Sequence, residues 1–252
     1  MELFLIPINP IDVFLWTFRK NEKDVVNLYN TLSPVMQIAT GGSMLNFGYW
    51  SKEHSDPISA QENLCNVFGN LSELSTAKNV LDVGSGLSAP SKLWRDSYPT
   101  LNLYDVNINF KQLSFLKHEK NIEFLNSTST KLPFADNSVD RVLALESAQH
   151  FKPLDNFISE SKRVLMKSGF LVMAVPITLK NSSLGRLGLL KFTWSSEHYG
   201  LDYLRDLISS NGFKIIDETL IGNHVYDPLA DYYVENRKLL SEKILKQYPG
   251  YM

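Results

Sequence analysis

The sequence predicts an α/β protein: a doubly wound, mostly parallel sheet with helices on both faces and a helical cap at the N-terminus. Three observations predict it. From residue 79 onward, short apolar runs alternate with helical patterns, as parallel strands joined by crossover helices do. The run Val80-Leu81-Asp82-Val83 stops at Gly84-Ser85-Gly86, which is a strand closing on a glycine turn that opens a helix. With 252 residues and 44% hydrophobic side chains, the chain has enough material for a core of that size.

The elements follow in order. Leu3-Phe4-Leu5-Ile6 and Val13-Phe14-Leu15-Trp16 are apolar but are interrupted by Pro7, Pro10 and Asp12. A spanning helix needs about 20 mostly apolar residues, and a signal peptide needs a basic start and a small-residue cleavage site. This segment meets neither description and is expected to pack on its own domain, with peripheral membrane contact as the other reading. Val25, Val26, Leu28, Tyr29 and Leu32 recur at helical spacing, predicting a cap helix that Ser33-Pro34 ends. Thr40-Gly41-Gly42-Ser43 reads as a turn, followed by the aromatic stretch Asn46-Phe47-Gly48-Tyr49-Trp50. Asp56-Pro57 supplies an N-cap and a proline at the first helical position, opening a helix that carries Ile58, Leu64, Val67, Phe68 and Leu71.

Strands are then predicted at 80–83, 101–106, 122–125, 139–145, 169–175 and 213–221, with helices at 88–98, 109–120, 154–166 and 201–211. A last helix, 229–247, carries its charges on one face. There is no internal repeat or long linker, so residues 1–75 are expected to form a cap and lead-in helix, and 76–252 the main domain, as one structural unit.

Lysine plus arginine number 25 and aspartate plus glutamate 27, a net charge of −2. No basic surplus points to nucleic acid as a partner. The single cysteine, Cys65, has no partner for an internal disulfide and no metal-ligand companions, which fits a reducing, cytoplasmic setting. No H-E-x-x-H or cysteine-rich spacing appears, so no metal is expected.

Gly84-Ser85-Gly86-Leu87-Ser88-Ala89 also fits the G-x-G-x-x-G/A pattern of dinucleotide enzymes, with Asp105 about 20 residues on. An NAD-dependent oxidoreductase is therefore one reading. Asp82 opposes it, because a carboxylate two residues before the first glycine would repel a pyrophosphate in a low-dielectric site. A cationic ligand with an amino group and a sulfonium would instead be attracted, with Asp105 accepting from ribose hydroxyls.

The chain resembles the class I S-adenosylmethionine-dependent methyltransferases, in the small-molecule, type 11-like branch with its Rossmann-like sheet. The residues that carry the resemblance are Leu81-Asp82-Val83-Gly84-Ser85-Gly86, Leu103-Tyr104-Asp105-Val106-Asn107, the block Lys131-Leu132-Pro133-Phe134-Ala135-Asp136-Asn137-Ser138-Val139-Asp140, Leu145-Glu146-Ser147-Ala148-Gln149-His150-Phe151, and Arg163-Val164-Leu165-Met166-Lys167-Ser168-Gly169-Phe170. Tyr29 and the 46–50 stretch look like that branch's cap. The resemblance implies S-adenosylmethionine as cofactor. Asp82, Gly84, Ser85 and Gly86 would hold its methionine end, and Asp105 and Val106 its ribose and adenine, with Tyr29, Ser129 and Leu145 also at the cofactor. Most relatives place an aspartate four residues before the Leu-Pro-Phe leucine, against the adenine amino group; here that position is Thr128. Ser88 replaces a third glycine. Relatives also finish with an antiparallel strand for which too few residues follow Gln247, so six strands are expected, or a seventh from elsewhere.

Methyl transfer to a hydroxyl needs alignment and a proton acceptor. His150, after the fourth strand, is the candidate base, and Glu146 its support or an amine-binding group. Tyr49 and Trp50 are expected to wall a pocket for a small, partly apolar acceptor methylated at O, N or C, with Trp16 and Trp194 as further candidates. His198 and His224 read as loop histidines, and 178–193, with Gly185 and Gly188, as a lid. Ser88, Thr128 and the missing last strand also allow a non-catalytic partner protein.

Overall fold

A computed structural model describes residues 21–178 and 197–247. The expectations for residues 1–20 and for the lid after Thr178, with Trp16 and Trp194, lie outside the described residues.

Helix α1 (Glu22–Thr40) opens on a capping box, in which the Asn21 side chain accepts from the Asp24 N–H and the Asp24 carboxylate accepts from the Asn21 N–H. It ends on Gly41 at φ 82°, the left-handed C-cap glycine adopts at no steric cost. The expectation that Ser33-Pro34 ends this helix is corrected. Pro34 lies inside it, and buried Leu28 and Ala39 anchor the helix on either side of the break, offsetting the roughly 3 kcal/mol a helix-interior proline costs. Helix α2 (Pro57–Leu71) starts as expected, with the Asp56 carboxylate accepting from the Ile58 and Ser59 N–H groups.

The remaining elements alternate. They are β1 (Asn79–Val83), α3 (Ala89–Ser97), β2 (Asn102–Asn107), α4 (Phe110–Ser114), β3 (Ile122–Asn126), β4 (Val139–Leu145), α5 (Leu154–Val164), β5 (Leu165–Ala174), the short strands β6 (Ile177–Thr178) and β7 (Tyr199–Gly200), then α6 (Leu201–Ser210), α7 (Gly222–Glu235) and α8 (Arg237–Gln247). The main sheet has order β3-β2-β1-β4-β5 with every neighbouring pair parallel. Both faces are covered, which explains the unbroken apolar strand runs. Leu81, Val83, Val142 and Ala144 pack on Phe157 and Ile158 of α5. Val80, Leu103 and Leu143 pack on Phe68 of α2 and Trp94 of α3.

Three expectations change. The 213–221 segment makes no ladder on β5, and Ile215, Ile216 and Leu220 are exposed. Alternating apolar residues mark a face for burial but do not choose a partner edge, which is a non-local matter. The main sheet therefore has five strands among the described residues, not six, and β6 pairs in parallel with β7 apart from it. The 229–247 helix is two helices, α7 and α8, separated at Asn236; α8 packs against α1. Finally, α4 stops at Ser114.

The Lys131–Asp140 block is a brace. The Arg163 guanidinium donates to the carbonyls of Leu132 and Phe134 and to the Glu160 and Asp136 carboxylates, while Glu160 accepts from the Leu132 N–H. It fixes the loop after β3 to α5, and with it Thr128 and Ser129.

Candidate active site

The carboxyl ends of β1, β2 and β4 and the loop after β3 open into one cavity, roofed by α1. This is where open parallel sheets place their ligands. On α1, Glu22, Val25, Val26 and Tyr29 line the cavity, spaced i, i+3, i+4 and i+7 along one helical face. Four side-chain hydrogen bonds tie that helix to the loops and to α4 below. Tyr29 Oη lies 2.9 Å from His150 Nε2, Asn109 Nδ2 donates to Asn30 Oδ1 at 3.1 Å, Gln112 Nε2 donates to Ser33 Oγ at 2.9 Å, and the Thr128 hydroxyl donates to the Glu22 carboxylate.

The glycine turn forms the floor. Gly84 and Gly86 have φ of 79° and 57°. A Cβ on Gly84 would lie 2.5 Å from Ser147 Cβ, so this glycine is required by the close approach of the loop after β4. The Ser85 hydroxyl is buried with no hydrogen-bond partner among the described residues, which leaves a donor and acceptor beside the cavity it lines.

Asp82 lines the cavity and is buried. In-register pairing of β1 and β2 sets it beside Asp105. Ser91 Oγ lies 2.5 Å from Asp105 Oδ1 and 3.4 Å from Asp82 Oδ2, and its single proton serves one of them at a time. Burial, and then repulsion from Asp105, hold the Asp82 carboxyl well above the usual range. Burial pushes Asp105 up to about 6 against the opposing pull of the Ser91 hydroxyl. A cation in the cavity would favour the ionised form of Asp82.

The expectation for Asp105 is corrected. It is fully buried beneath the sheet end and does not line the cavity, because β2 runs on to Asn107. Asn107 is the residue that reaches the wall, held by donation from its Nδ2 to the Gly86 carbonyl and to Gln112 Oε1 and by acceptance from the Asn109 N–H. Asn107, Asn109, Gln112 and Glu22 were not picked out from sequence. The readable signal for Asn107 is its place as the last residue of a strand at the ligand edge.

Tyr49 and Trp50 are also corrected. Neither lines the cavity. Tyr49 stacks on His224 at 4.6 Å, and buried Trp50 donates Nε1–H to the Phe47 carbonyl and packs on Tyr232. They join the 46–50 stretch to α7, an amphipathic packing role natural for large aromatics. What that stretch brings to the cavity is Asn46, with Leu45 just before it.

Val106, Thr128, Ser129 and Leu145 line the cavity, as do Glu146 and His150. Glu146 follows β4 in the left-handed region at φ 50°. Its carboxylate accepts the Phe47 N–H at 2.7 Å, and burial pushes its pKa up to about 7. His150 ends a 3-10 turn, Ala148–His150, and its N–H donates to the Ser147 carbonyl. Burial, reinforced by Glu146, raises the Tyr29 phenol above its ordinary value, keeping it protonated beside the imidazole.

Residues 81–173, which carry the strands of this site, match the family profile described as a methyltransferase domain. Over these residues the chain carries a methyltransferase domain of the class I, S-adenosylmethionine-dependent type. That match favours methyl transfer over the oxidoreductase reading. This methyltransferase is 24% identical to erythromycin 3''-O-methyltransferase of Saccharopolyspora erythraea over 92% of its own length and 81% of that protein. It is 30% identical to the methyltransferase GfsG of Streptomyces halstedii over 52% of its length, spanning half of that relative. Among solved structures, a cyclopropane synthase of Mycobacterium tuberculosis superposes with a TM-score of 0.72 at 14% identity, covering 90% of this chain and 87% of that one. The cyclase SpnF superposes with a TM-score of 0.71 at 19% identity, covering 91% of each. These two share the fold. No described helix is long and apolar enough to cross a membrane.

Proposed function

We propose that this methyltransferase methylates a hydroxyl of a small, partly apolar acceptor in the cytoplasm, with His150 as general base. S-adenosylmethionine, when bound, supplies a methyl group on a positively charged sulfur. The cavity fits that group. Asp82 offers negative charge beside the glycine turn, Ser85 offers an unpartnered hydroxyl, and Gly84 and Gly86 keep the turn's backbone open. These residues would hold the methionine end, with Asn107 and Val106 toward the ribose and Val25, Val26 and Ile108 toward the adenine.

The observation that carries the reading is the 2.9 Å contact of Tyr29 Oη with His150 Nε2 on the cavity wall. A phenol kept protonated donates to Nε2, so that nitrogen holds the lone pair. The incoming hydroxyl takes Tyr29's place at Nε2 and gives it its proton, while the 3-10 turn keeps the ring aimed into the cavity. Oxygen is favoured over nitrogen and carbon because two relatives bear that chemistry in their names, the erythromycin 3''-O-methyltransferase and a fatty-acid O-methyltransferase of Mycolicibacterium smegmatis, the latter 29% identical over 37% of this chain.

Incubating the protein with a metabolite extract and methyl-labelled S-adenosylmethionine, then identifying the labelled product, tests acceptor and atom together. An O-methyl product is expected. His150→Ala is expected to lower kcat by about 10²-fold to 10⁴-fold with unchanged affinity for S-adenosylhomocysteine. Near-wild-type turnover of the variant sinks the base assignment.

A further inference from the structure

We propose that Glu22, on the roof helix α1, reads the 6-amino group of the adenine; this rests on the cofactor reading above. Thr128 occupies the wall after β3, but its hydroxyl is committed. It donates its one proton to Glu22 Oε1, and its oxygen accepts from the Thr130 N–H at 3.4 Å and lies 3.1 Å from the Thr130 hydroxyl. A hydroxyl has one proton and two lone pairs; with its proton on Glu22, Thr128 can only accept from the Thr130 hydroxyl, and that bond and the Thr130 N–H take up both lone pairs.

The carboxylate it holds does have capacity. An ionised carboxylate offers about four lone-pair sites, and Thr128 uses one. Glu22 shares the cavity face of α1 with Val25 and Val26, and Ile108 also lines this cavity. Together they make apolar walls with a charged acceptor at one end, the complement of a flat ring with an amino edge. Glu22 is held in place from two sides, by the capping box that fixes the first turn and by the Asn109–Asn30 and Gln112–Ser33 hydrogen bonds that fix the helix over β2. The roof helix thus supplies the acidic group that the loop itself lacks, and Thr128 serves as its positioning residue.

Calorimetry compares S-adenosylhomocysteine with its 6-oxo analogue, S-inosylhomocysteine, whose carbonyl would face Glu22 without a proton to donate. The wild type is expected to prefer the amino ligand by about tenfold or more, the value of a charge-assisted hydrogen bond. Glu22→Gln is expected to bring that ratio close to one, since an amide donates as readily as it accepts, and Thr128→Asp in a Glu22→Ala background to restore it. If Glu22→Gln weakens both ligands equally and leaves the ratio unchanged, Glu22 only holds the helix and the inference is overturned. If the wild type binds neither ligand, the cofactor reading itself falls, and this inference with it.

Discussion

Ser88 sits at φ 60° immediately before α3, a left-handed backbone that costs a residue with a Cβ roughly 1 kcal/mol or more. Ser88→Gly is accordingly expected to raise the unfolding free energy by about 1 kcal/mol in urea titration. Glu146 supplies a second residue-level prediction, with a sign. Its folded pKa is raised from 4.5 to about 7, so the native state binds the proton more tightly than the unfolded chain and stability falls as pH climbs through that window. Glu146→Gln removes the penalty. Its stabilisation should approach about 3 kcal/mol at pH 8 and vanish below about pH 4, as read from melting curves across pH; a pH-independent effect would contradict the burial account. At this scale the sequence was legible where local chemistry decides, as at Asp82 and the two glycines. It misled at Asp105, because two residues of strand length decide which side chain reaches the edge, and a fully buried Asp105 and a cavity-lining Asn107 share one face of β2.

Helix α1 is the element on which the site depends, since its four polar ties reach three parts of the cavity rim, at His150, at the start of α4 and at Thr128. Its periodic face announced it in the sequence, but its length was hidden by Pro34, whose cost is met by packing that only the folded domain supplies. Tyr49 and Trp50 misled for a related reason: an aromatic loop announces burial without saying against what, and here the partners are His224 and Tyr232 of α7. Ser33→Ala removes the acceptor of the Gln112 side chain, at a cost of about 1 kcal/mol or more. Hydrogen exchange in α1 should then rise roughly fivefold while the amides of β1 and β4 keep their protection. Unchanged exchange in α1 would mean that the tie does not hold the roof.

Across the whole molecule, the five parallel strands were legible because both sheet faces are buried and the apolar runs are therefore continuous. The edge beyond β5 was not, since strand pairing there depends on which distant segment arrives. A cyclase and a cyclopropane synthase superpose on this same architecture, so the fold alone does not select a reaction; the cavity does. The account rests on that cavity binding S-adenosylmethionine through Asp82. Calorimetric titration of S-adenosylhomocysteine into the wild type and Asp82→Asn tests this most directly, because the variant also relieves the repulsion with Asp105 and should melt no lower than the wild type. The account predicts saturable wild-type binding that Asp82→Asn weakens by about tenfold or more. Equal affinity in the two proteins, or no binding by the wild type, would contradict it.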